Sequence, residues 1–341
     1  MNRKALLVAG SLLIAGLAGQ AAQAHQWGCW SQADRNIKIR NVAGSQASSA
    51  ISDWNNMTIL NISSVSSGEE IYVFNANSGN TGWAGLATIT SYSGCTIRRA
   101  TAQVNTYYYS STSTAARGIH CQEIGHGFGL DHSNDGGCMG AGYWYSVTGA
   151  YRPVTHNVND IASMYANKHA GEEHEGVDAP RFHGNWFYSP KSIREATRLA
   201  YEVVVATVTD VTEGDPILSV HPDGVQSIPT QRVHFTVNRR RKGTLRAGTS
   251  FVLFQNGNDE NRFDEDPSYK VGSRHLLFMN PRKDGTYLVV APEGRYEVTA
   301  GGLVPAVQHD SFASKLEGAS LQDVLSDVNR ALEVDVDVQE P

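Results

Sequence analysis

Residues 122 to 132 read Gln122-Glu123-Ile124-Gly125-His126-Gly127-Phe128-Gly129-Leu130-Asp131-His132. On a helix, positions 122 and 126 lie one turn apart on the same face, so two ligands there can grip one metal ion. Glu123 follows the first of them, within reach of a water on such an ion. Gly129 tolerates positive φ and lets the chain turn sharply out of the helix, which can bring His132 back as a third ligand. Three protein ligands leave one tetrahedral position open. A water held there has its pKa lowered to about 7, and Glu123 is placed to act as general base, a role worth ~10²–10⁴ in rate. His120, two residues from Gln122, points to nearly the opposite side of the helix and cannot take its place.

Upstream, Ala47 to Trp54 has helical apolar spacing. Glu70 to Asn75, Trp83 to Thr90 and Ala100 to Tyr107 read as strands. Downstream, a helix is expected over about 158–167. Strands first and helices packed on one side describe an α+β layer. Residues 169–192 lose periodicity and are expected to be a charged linker. From Tyr201 to Val307 strand follows strand, with a hairpin turn at Asp284-Gly285. The acidic cluster Asp259, Glu260, Asp264, Glu265 and Asp266 reads as a solvated loop, since its spacing fits no EF-hand. Leu316, Leu321, Val324, Leu325, Val328 and Leu332 recur at helical spacing and predict a terminal amphipathic helix.

The first residues fit an export signal: Arg3 and Lys4, an uncharged apolar run to Gly19, and the small-x-small site Ala22-Gln23-Ala24. Cleavage there predicts a chain that is secreted or periplasmic, with no stable membrane insertion afterwards. The net charge of −6 and the lack of a basic stripe argue against nucleic acid as partner. Cys29, Cys95, Cys121 and Cys138 all lie in the first half, and an even count in an exported chain predicts two disulfides, with three pairings open.

The stretch 122–132 resembles the metzincin signature H-E-x-x-H-x-x-G-x-x-H, and His132-Ser133 is similar to its matrixin form. Gly137-Cys138-Met139 resembles the Met-turn of that family. Tyr143 falls where matrixins place a pocket wall, Gly82 to Ala87 resembles their substrate-binding edge strand, and Asn159-Asp160 resembles the start of their last helix. The resemblance implies a metzincin-like domain (a mixed sheet, an active-site helix and a C-terminal helix) over 25–168, after a signal at 1–24. It implies Zn2+ held by Gln122, His126 and His132, with Glu123 as base and Met139 as the structural methionine. Gly85, Leu86, Ala87 and Tyr143 would contact a protein or peptide substrate. Glutamine stands where the family has its first histidine and would ligate through its amide oxygen, a poorer zinc partner than imidazole. A disulfide between Cys121 and Cys138 would tie the active-site helix to the Met-turn and leave Cys29 with Cys95. After the linker, 193–310 is expected as an all-β barrel domain, loosely similar to the netrin and metalloprotease-inhibitor barrels. Those inhibitors use a terminal cysteine, and no cysteine lies after Cys138. A helix and tail over 311–341 would complete a monomer. The implied activity is zinc-dependent hydrolysis of peptide bonds; the rival reading is an inactive binding protein on the same fold.

Overall fold

A computed structural model of the chain describes residues 25–140, 150–166, 182–307 and 312–336. The export signal and Tyr143 lie outside these. Two seven-stranded sheets organise the molecule, and the fold is α+β. Among the described residues no helix is long and apolar enough to cross a membrane.

The first sheet contains β1 (Ser31–Gln32), β2 (Asn36–Asn41), β3 (Asn61–Ser64), β4 (Ile71–Ala76), β5 (Trp83–Ser93), β6 (Thr96–Asn105) and β7 (Phe182–Trp186). Its order is β3-β2-β4-β6-β5-β7, with β1 beside β6. Strands β2, β3, β4 and β6 run parallel, whereas β5 is antiparallel to both β6 and β7. Alternation along β4 assigns its two faces. Ile71 and Val73 enter the core beneath the helices, and Tyr72 and Phe74 form a separate cluster.

Three helices cover that core face. In α1 (Ser45–Met57), Ala47, Ala50 and Trp54 are the buried stripe. Helix α2 (Thr114–Gly127) is capped by Ser113, whose hydroxyl accepts from the Ala116 amide at 3.1 Å, and is buried on nearly every side. Helix α3 (Thr155–Tyr165) buries Ile161 and Tyr165. The disulfides join Cys29 to Cys95 and Cys121 to Cys138. The second fastens α2 to the turn carrying Met139.

The second sheet contains β8 (Glu202–His221), β9 (Gly224–Lys242), β10 (Ser250–Asn256), β11 (Arg274–Pro281), β12 (Tyr287–Val289), β13 (Arg295–Thr299) and β14 (Gly302–Pro305). Strand β12 pairs with both β10 and β11, so the ladder β10-β9-β8-β11-β12 returns on itself. Two helices, α4 (Ile193–Leu199) and α5 (Leu321–Val336), share a core with this sheet. Residues 193–310 therefore open on a helical turn rather than on a strand.

The long hairpin β8–β9 has prolines within it, with register shifts around Pro216, where a lost ladder donor is tolerated. Its far end lies on the face of the first sheet opposite the helices, over Tyr72 and Phe74. There Asp223 binds Arg40 at 2.7 Å and accepts from the Tyr72 hydroxyl, while Ser219 meets Ser78 at 2.7 Å and Gln103 at 3.1 Å. Trp83, Leu86, Phe182, Trp186, Ile228 and Phe263 form the apolar seam between the two sheets.

Two expectations are corrected here. Part of the expected linker, Phe182–Trp186, is a buried strand of the first sheet, because its aromatic residues alternate with polar ones and fill the seam. The acidic cluster is not wholly solvated either. Glu265 and Asp266 are buried, and Asp266 meets the buried Arg295 at 2.7 Å. Arg295 also lies 3.4 Å over the Tyr269 ring. Arg295→Met should cost about 3–5 kcal/mol, because it strands a buried carboxylate. Burial already holds the Asp266 carboxyl above its ordinary value, against the pull of Arg295. Without Arg295 the folded form binds a proton more tightly than the unfolded chain does. The deficit should therefore grow as pH rises above the ordinary carboxylate range and shrink below it, as read by denaturant midpoints at several pH values.

Candidate metal centre

Helix α2 presents His126 at its C-terminal end, and the chain then turns at Gly129, where φ is +96°. A Cβ at Gly129 would run into the Trp30 carbonyl. Only glycine allows both the dihedral and that approach. The turn returns His132 to His126, with ring centroids 4.9 Å apart. Met139 packs under the helix where Gly125 leaves room for its sulfur, and the Ser133 amide donates to the Met139 carbonyl at 2.8 Å.

The third member of the cluster is His183 on β7. Its ring lies 3.9 Å from that of His126 and 4.4 Å from that of His132, centroid to centroid. Ligand nitrogens of His126, His132 and His183 lie within 4.8 Å of one another. His126 Nδ1 lies 2.8 Å from the Leu130 carbonyl. That bond places the proton on Nδ1 and leaves the Nε2 lone pair for a metal. Nε2 is buried and has no hydrogen-bond partner. Burial, then the charge of His183, holds His126 well below the usual histidine range, so it is a neutral imidazole, the form a metal requires. An orphaned buried nitrogen within a trio of imidazoles fits a transition-metal ion.

Carboxylates surround His183. Its Nε2 lies 2.9 Å from Asp131 Oδ1, and its Nδ1 contacts Glu265. Asp131 also accepts from the His132 amide at 2.6 Å. With a carboxylate at each ring nitrogen, His183 would ligate through the nitrogen that gives up its carboxylate, and the other carboxylate would then orient the ring.

Gln122 and Glu123 sit where the spacing places them, on the buried side of α2. Gln122 is otherwise engaged: its Oε1 accepts from the Asn185 side chain, and its Nε2 donates to the Gly140 carbonyl at 3.0 Å. In this arrangement the Gln122 oxygen faces Asn185, and His183 joins the two histidines. Glu123 is fully buried, and neither carboxylate oxygen is hydrogen-bonded in good geometry. Burial raises its carboxyl well above the ordinary value, opposed by the Ala87 amide. Gly85 lies directly beneath Glu123, where a Cβ would collide with the carboxylate. His120 turns away and meets Asn75 at 3.1 Å.

The edge of β5 is occupied by the chain itself. Gly85 pairs with Asn185, Leu86 with Gly184 and Ala87 with His183. Period-two alternation then decides where β7 points its side chains. Phe182 and Trp186 enter the apolar seam, while His183 and Asn185 face α2. The sequence signal for this was present in Phe182-His183-Gly184-Asn185-Trp186, but five residues in a Gly- and His-rich stretch are too short to declare a strand alone. Glu265 and Asp131 carried no local signal, because their roles depend on His183. No protein-family profile matches the chain, and no curated protein matches it.

Proposed function

We propose that the chain is an exported zinc endopeptidase whose substrate groove is filled, in this arrangement, by its own strand β7. The observation that carries this reading is the convergence of His126, His132 and His183 beside the buried Glu123, against β5, whose outer side β7 covers. His126 and His132 would hold the ion, with His183 as third ligand while β7 is in place. When bound, zinc supplies the Lewis acidity that makes water nucleophilic at neutral pH.

The residues of the chain do the rest. The β5 edge at Gly85 to Ala87 offers main-chain donors and acceptors to an extended peptide, the recognition mode of an added strand. Glu123, directly above Gly85, takes the proton from the attacking water and delivers it to the leaving amine. Strand β7 competes for the same edge and shields Glu123. Its departure would also free the Gln122 oxygen from Asn185, allowing Gln122 to replace His183. The two disulfides support an oxidising, exported setting, and the ladder closed through β12 supports an accessory barrel.

The rival, a binding protein without catalysis, is favoured by one observation: the groove is filled and Gln122 is engaged. Zinc content of the purified protein, paired with cleavage of an unstructured protein before and after a cut engineered between residues 170 and 178, separates the two. Near one zinc in the trio and cleavage that disappears with Glu123→Ala support the peptidase. No cleavage in either form, with zinc present, would leave the binding reading.

A further inference from the structure

We propose that His25, Asp135, His156 and Asp160 form a second transition-metal site, separate from the trio around His126. The four residues come from three segments: the start of the described chain, the loop after His132 and the first turns of α3. Ligand atoms of His25, Asp135 and His156 lie within 4.8 Å of one another, and Asp160 Oδ2 approaches both histidines. His156 Nε2 lies 2.7 Å from His25 Nδ1, 3.2 Å from Asp135 Oδ2 and 3.1 Å from Asp160 Oδ2. His25 Nδ1 lies 3.8 Å from the same Asp160 oxygen. In a tetrahedral site with bonds of about 2.0–2.1 Å, ligand atoms stand roughly 3.3 Å apart, and these separations bracket that value.

The simpler reading is a hydrogen-bonded surface cluster, and the geometry argues against it. A single N–H at His156 Nε2 cannot serve one imidazole nitrogen and two carboxylates at once. Asp160 makes the second argument. Its side chain is only 8% exposed, and its buried Oδ2 has no hydrogen-bond partner. A metal ion between this oxygen and the two imidazoles would supply the partner that the oxygen lacks. Two imidazole nitrogens and two carboxylate oxygens suit zinc or a neighbouring transition metal, whereas calcium and magnesium take oxygen ligands.

The site has a structural consequence. The Asp131 amide donates to the His25 carbonyl at 2.8 Å, so the start of the described chain already lies along the loop that carries His132. An ion shared by His25, Asp135 and α3 would clasp that loop at its outer end and brace His132 from behind. This inference does not rest on the peptidase reading.

The test is zinc stoichiometry on the full chain purified without a histidine tag, stripped with a chelator and equilibrated with Zn2+. His156→Ala and Asp160→Asn should each bind one zinc fewer per chain than the parent. His126→Ala should lose a different one, so that the double variant His126→Ala/His156→Ala loses two. The zinc-dependent rise in Tm should also be smaller in His156→Ala. Unchanged stoichiometry in both His156→Ala and Asp160→Asn, at zinc concentrations that saturate the parent, would overturn the proposal. If either variant fails to fold, His25→Ala, at a half-exposed position, gives the same decision.

Discussion

A chain carrying His183→Ala and Asn185→Ala should cleave an unstructured protein at least tenfold faster than the parent. These two side chains carry contacts from β7 to the face of α2 that bears Gln122 and His126. Removing them releases Gln122 and opens the space beside His126, yet leaves Phe182 and Trp186 to hold the seam. Adding Glu123→Gln to this background should reduce turnover by ~10²–10⁴, the usual worth of a positioned proton transfer, with little change in KM. Glutamine keeps the shape of the side chain but cannot accept the proton. Initial rates and zinc content of the three proteins, measured together, check the expectation. If the opened chain binds zinc and cleaves no faster than the parent, β7 does not guard the groove.

The other large effect is expected at Gly129. Gly129→Ala places a methyl against the Trp30 carbonyl in a conformation where φ is +96°. The backbone strain and the clash are each worth 1–3 kcal/mol, so a loss of about 3 kcal/mol is expected in chemical denaturation. The more telling readout is metal binding. His132 reaches the trio only through this turn, and a displaced ligand weakens the site beyond the ~10–100-fold typical of a lost outer partner. Ala substitution at Gly272, where φ is also positive and a Cβ would meet nothing, is the matched control. It carries strain without the clash and stands outside the trio, so its zinc affinity should stay near that of the parent. Equal losses of affinity at the two positions would show that the Gly129 turn has no special role.

The helix carrying Gln122, Glu123 and His126, its exit at Gly129 and the return of His132 were legible in the sequence. All depend on spacing within eleven residues, where helix geometry and the conformational range of glycine suffice. The amphipathic stripe of α5 was legible for the same reason. Tertiary structure alone decided the rest of the site. His183 lies more than fifty residues beyond His126, and its role follows from β7 adding to the edge of β5, a pairing driven by burial of Phe182 and Trp186 beneath Phe263. The same docking turned Glu265 from an apparently solvated acid into a partner of His183 and gave the Gln122 amide to Asn185. Local pattern records what a segment can become; long-range pairing selects which segments meet, because the apolar area that rewards the meeting belongs to both.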